Sequence, residues 1–139
     1  MTTLRWHLRF DNFCSALALL QDAAVQATTR AMSDLEKAGL VQRFEICWEL
    51  GWKTIRDYLA DSGAPLQVPN PINAIRAGAQ VNLIADPDAW VAAMRARNEM
   101  AHEYDCTKFE QIVSQIATTF VPLLADLRLR LDEERAIGN

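Results

Sequence analysis

Apolar residues recur at alternating spacings of three and four along the first part of the chain, at Phe10, Phe13, Leu17, Leu20, Ala24 and Ala27. That period brings them onto one side of a helix, and it predicts an amphipathic helix over roughly 4–29. Ser33-Asp34-Leu35-Glu36 follows, a capping-box pattern in which the Ser hydroxyl and the Glu carboxylate satisfy free amides at a helix start. A second helix is predicted from there to about Asp61, stopped by Ser62-Gly63 and Pro65. It is apolar on more than one side. Val41, Phe44, Trp48, Ile55 and Leu59 form one set, and Cys47, Leu50, Gly51 and Trp52 broaden it, so this helix is expected at the centre of the fold.

The second helix also carries a polar line, Gln42, Glu45, Glu49, Lys53 and Arg56. Glu49 precedes Lys53 by one helical turn, the favourable order for an ion pair. The line reads either as a solvated face or, at Glu49 and Lys53, as the wall of a cleft.

Between Pro65 and Pro87 the pattern breaks into a loop and a short helix, with Asn70-Pro71 as N-cap and first helical residue. Asp86-Pro87 repeats the device and opens a helix with Trp90, Met94 and Ala101 on its inner side. Thr107-Lys108-Phe109-Glu110 is a further capping-box pattern, followed by a stripe at Phe109, Ile112, Ile116, Phe120, Leu123, Leu127 and Leu131. Pro122 should kink this last helix, because its ring conflicts with the Thr118 carbonyl. The sum is an all-α chain, one domain over 1–139: an antiparallel four-helix bundle with an additional short helix.

Composition agrees with one domain: 139 residues, half of them apolar, suffice for a core. The net charge of −4 gives no overall attraction for nucleic acid or an anionic membrane, so any RNA or nucleotide must be met by a local patch or a groove between subunits. The N-terminal stretch lacks a signal-peptide core and no apolar run is expected to span a bilayer, which predicts a cytoplasmic protein with no membrane partner. Cys14, Cys47 and Cys106 form no CxxC pair and are expected to be reduced, mostly buried thiols.

The densest chemistry lies in RNEMAHEYD, Arg97 to Asp105. A guanidinium can bind phosphate while an imidazole moves protons, which is sufficient equipment for phosphodiester chemistry without a metal. Arg97 is the candidate phosphate ligand and His102 the candidate general acid or base. On a continuous helix these two diverge by roughly 140°, whereas Asn98 and His102 share a face, so the geometry works best if the helix ends near His102. One histidine per chain is few for in-line attack, and a homodimer that joins two Arg97/His102 sets would supply the second. The bland alternative pairs Arg97 with Glu103 or Asp105, lets His102 cap a helix end and packs Tyr104. Contiguous His102, Glu103 and Asp105 do not converge readily on one ion, so no metal or other cofactor is expected. His7, beside Trp6, reads as structural, and Trp48, Trp52 and Trp90 read as core.

RFEICWELGWKTIRDYL from Arg43 to Leu59, then PNPINAIRAGAQVNLI and RNEMAHEYD, together resemble the nucleotidyltransferase substrate-binding proteins grouped with HepT-like HEPN proteins. The similarity runs from about Phe10 to Leu127, and its strongest element is R-x4-H-x-Y, matched by Arg97, His102 and Tyr104. The resemblance implies a helical bundle that dimerises and is encoded beside a minimal nucleotidyltransferase. In HepT-like members it implies a metal-independent ribonuclease toxin with Arg97 and His102 as catalytic residues. The partner would act as antitoxin by transferring AMP to Tyr104, where the added phosphate would crowd the pocket and repel RNA. An alternative implication is a noncatalytic subunit that presents substrate to the nucleotidyltransferase, with a nucleotide or other substrate in the same cleft. A purely structural helical partner is a third.

Overall fold

The computed structural model describes residues 4–102 and 106–138, with 101, 102 and 106 as backbone only. They form α1 (Arg5–Thr29), α2 (Asp34–Asp61), the short α3 (Pro71–Gln80), α4 (Pro87–His102) and α5 (Cys106–Gln115). A π-helical turn, Ile116–Phe120, joins α5 to α6 (Val121–Gly138) in one continuous rod. The expected all-α bundle with one short extra helix is therefore observed among the described residues.

The helix starts follow the sequence signals. Ser33 Oγ accepts from the Glu36 amide at 3.1 Å and the Glu36 carboxylate accepts from the Ser33 amide at 3.0 Å, completing the capping box. Arg30 also grips that carboxylate, which is pulled down to about 2, mainly by the Arg30 contact. Asn70 Oδ1 caps α3 through the Asn73 amide at 2.9 Å, and Asp86 Oδ1 accepts from the Ala89 amide at 3.1 Å at the start of α4. α2 ends on Gly63 at φ +90°, where the Ala64 amide reaches back to the Leu59 carbonyl at 2.8 Å. A side chain is disfavoured in that left-handed conformation, which explains the Ser-Gly stop.

The start of α1 has no side-chain cap of its own. Asp61, at the far end of α2, accepts from the Trp6 amide at 2.9 Å instead. One turn along, buried Asp57 (2% exposed) takes Arg9 Nε at 2.8 Å and Arg56 Nε at 3.1 Å. These contacts fix α1 antiparallel to α2, and Arg43, bonding the Leu19 carbonyl at 2.9 Å, ties the two helices again nearer their middle. His7 stands edge-on to Trp6 with centroids 4.4 Å apart, in keeping with a structural role.

The α5–α6 rod runs parallel to α2. Lys37 meets Glu110 at 3.0 Å at one end, and the Tyr58 hydroxyl donates to Glu134 at 3.0 Å at the other. Gly51 is where the rod comes closest: a Cβ there would lie 3.3 Å from Phe13 and 3.5 Å from Leu124, so α1, α2 and α6 meet over a bare backbone. α4 seats on α3 and on the π-helical turn, burying Trp90, Ala93 and Ala96.

Four expectations are corrected. The kink assigned to Pro122 takes the form of the π-helical turn just before it, in which the Val121 amide bonds the Ile116 carbonyl. Pro122 brings no amide and a bulky ring, and widening the preceding turn by one residue accommodates both. The extra residue shifts the buried stripe, so Leu124 is fully buried where the regular pattern required Leu123, which is only partly buried. α5 begins at Cys106, so Thr107 lies inside its first turn, and the Glu110 carboxylate meets Lys37. The stretch Thr107–Gly138 is long and apolar enough to cross a membrane by length and composition, contrary to the sequence reading; its stripe from Ile112 to Leu131 is buried against the bundle.

Of the thiols, Cys47 is buried and Cys14 half-buried. Burial pushes the Cys47 thiol up to about 12. Because the thiolate is the reacting species, iodoacetamide at pH 8 should leave Cys47 unmodified in the folded chain and modify it in denaturant, as peptide mass spectrometry would read. Modification of Cys47 at the denatured rate in the folded protein would contradict this packing.

Candidate functional site

Glu45, Glu49, Trp52 and Arg56 follow at spacings of four, three and four, which brings them onto one side of α2. Arg97, on α4, reaches that side: its Nη2 lies 3.2 Å from Glu49 Oε1. Glu49 Oε2 accepts from Trp52 Nε1 at 3.1 Å and lies 3.6 Å from Lys53 Nζ. The predicted Glu49–Lys53 pair thus exists, and it is part of a larger cluster that the local spacing did not reveal. Arg56 is taken up by Asp57, with its guanidinium 5.5 Å from the Trp52 ring centre, and closes one flank.

This polar line is not a freely solvated face. The side chains of Glu49 and Arg97 are 29% and 30% exposed, and that of Lys53 is 36% exposed. Arg97 Nε is buried without a hydrogen-bond partner among the described residues. Burial raises the carboxyl pKa of Glu45, opposed by the nearby Arg97 charge. A carboxyl raised in the fold is easier to protonate folded than unfolded, so Glu45 weakens the fold as pH rises through its titration range.

Around Arg97 and Lys53 the cluster sets two carboxylates, Glu45 and Glu49, so the candidate phosphate ligand is already ion-paired. An incoming anion meets Arg97 with Glu49 already in place and competes with it. Such a mixed-charge surface suits a ligand that presents both an anionic group and hydrogen-bond donors.

The remaining candidates stand as follows. Asn98 is exposed on α4, next to Arg97. Arg97 and His102 both lie on α4, where a five-residue separation sets them roughly 140° apart, and the helix end expected near His102 borders residues outside the described ones. Tyr104, and with it Glu103 and Asp105 as alternative partners of Arg97, lies outside the described residues. In the sequence Glu45 stands out only as part of the polar line and Trp52 only as core. Trp52 is buried, at 7% exposed, and in addition its indole N–H directs Glu49. Their i, i+4 and i, i+3 relation to Glu49 was the available signal. Among the described residues no group of three or more His, Cys, Asp or Glu is placed to hold a metal ion.

A family model described as nucleotidyltransferase substrate binding protein like matches residues 8–133, and the chain belongs to that family. The solved structure of a Haemophilus influenzae protein, described as revealing the fold of a substrate binding domain of a nucleotidyltransferase, is similar at 25% identity. Its TM-score is 0.78, over 88% of this chain and 98% of that one. A Thermus thermophilus protein shares the fold with TM-score 0.74 and 24% identity, over 86% of this chain and 98% of that one. No curated protein matches the chain.

Proposed function

We propose that this protein is the substrate-binding subunit of a two-component nucleotidyltransferase, holding substrate at the Arg97 face while a partner nucleotidyltransferase performs the transfer. The observation that carries this reading is the family match over 8–133, which leaves only the ends of the chain outside it. The mixed-charge cluster supports it, because Glu49, Lys53 and Arg97 offer both donors and acceptors to a polar substrate. Nothing in this role requires a proton-transfer group from the subunit; the chemistry belongs to the partner. The test is to mix the purified chain with a single-domain nucleotidyltransferase of the same organism and follow co-elution by size-exclusion chromatography with light scattering. A stoichiometric complex is expected, and two components eluting independently at tens of micromolar would contradict the proposal.

A second reading has its own support. His102 follows Arg97 by five residues in the R-x4-H-x-Y pattern, which puts a guanidinium and an imidazole in one short segment. In this reading the chain is a HepT-like, metal-independent ribonuclease acting as a homodimer, neutralised when its partner transfers AMP to Tyr104. RNA cleavage by the purified chain in EDTA, lost in His102→Ala and leaving cyclic phosphate ends, is its expected result. Folded protein that leaves diverse RNAs intact removes the ribonuclease reading and leaves the substrate-binding subunit.

A further inference from the structure

One carboxylate joins α2 to α4 at the candidate site. Glu49 uses Oε1 for Arg97 and Oε2 for Trp52 and Lys53. The Trp52 indole is 7% exposed, so packing fixes its position, and its N–H in turn fixes the direction of the carboxylate. Lys53 adds a positive charge 3.6 Å from the same oxygen, one helical turn away. Arg97 is different. It sits at the end of a long, rotatable side chain, and its Nε is buried without a hydrogen-bond partner among the described residues.

We infer that Glu49 is the positioning residue for Arg97: the carboxylate, aimed by Trp52 and Lys53, holds the guanidinium at the substrate face. The inference rests on the reading of that face as the place where substrate is held. An ordinary surface ion pair contributes little, because two flexible side chains must be ordered to form it. Here one partner is ordered beforehand by a buried indole, so the ordering cost falls mainly on Arg97. Charge and reach are both required. Glutamine retains the shape without the charge, and aspartate retains the charge but is one methylene shorter, so each should loosen Arg97 by a different route.

The experiment follows the side-chain Nε–Hε signal of Arg97 in the ¹⁵N-labelled full chain, assigned by its loss in Arg97→Lys. In the native protein the buried Nε–H is shielded from exchange with water. In Glu49→Gln its exchange should accelerate by about tenfold or more, with the amide spectra of α2 and α4 preserved. Trp52→Phe, which removes the indole N–H and keeps an aromatic ring, should accelerate it less, and it takes the place of Glu49→Gln if that variant fails to fold. Arg97 exchange within about twofold of native in the folded variants would overturn the inference.

Nucleotide transfer by the reconstituted complex is measured in parallel, so that the two levels fail separately. Native transfer rates in Arg97→Lys would overturn the substrate-face reading while leaving the positioning result intact. Slowed transfer in Arg97→Lys together with unchanged exchange in Glu49→Gln would overturn the positioning role alone.

Discussion

Arg97→Ala is expected to lower nucleotide transfer by the two-component complex about 10- to 100-fold, the loss that follows from deleting one charge-assisted contact to a bound substrate. Stability should change little. The Arg97 side chain is 30% exposed, and its removal leaves Glu49 with Trp52 and Lys53 as partners. Glu45 loses the nearby cation that offsets its burial, so its carboxyl should titrate still higher. Activity and folding are therefore separable at this position: steady-state transfer should collapse while circular dichroism and the melting temperature remain near native. Equal loss of both would make Arg97 a structural residue, and native transfer would remove it from the site.

Phe44→Ala is expected to cost about 3–5 kcal/mol, the range for deleting a fully buried aromatic ring from a packed core. Phe44 is 0% exposed and stacks on Phe120 with centroids 5.3 Å apart and planes at 21°. Phe120 is the last residue of the π-helical turn on which α4 rests. The substitution thus removes a contact between the central helix and the irregular turn that supports the site-bearing helix. Set against a total stability of about 5–15 kcal/mol for a domain, this loss should be visible as a large shift of the urea midpoint. Phe44→Leu refills most of the volume and should cost about 1–2 kcal/mol. A loss below about 1 kcal/mol in Phe44→Ala would mean that the ring is not packed as described.

The helical plan was legible because its determinants are local. A capping Ser three residues before a Glu, Asn-Pro and Asp-Pro at helix starts, and Ser-Gly at a helix end each act within a few residues, and all four operate as their chemistry requires. The π-helical turn was legible only in part. Pro122 announces a disturbance, but whether the helix bends or widens depends on what it packs against, and the consequence for Leu123 and Leu124 is a matter of tertiary register. The capping of α1 by Asp61 and the Arg9–Asp57 pair join residues about fifty positions apart, and no local spacing encodes them. The same holds for the site. Glu49 and Lys53 were visible as an ion pair, yet the Arg97 partner arrives from another helix. Within RNEMAHEYD only its own acidic residues are visible as partners, and Glu103 and Asp105 lie outside the described residues; among the described residues a carboxylate comes from α2.

The most direct measurement follows the label from α-³²P ATP in a mixture of the partner nucleotidyltransferase, this chain and a deproteinised cell extract as the source of small acceptors. The substrate-binding account expects label in a small molecule, appearing only when both proteins are present and reduced in Arg97→Ala. Label confined to this chain at Tyr104, together with RNA cleavage by the unlabelled chain, would contradict that account and establish the ribonuclease one.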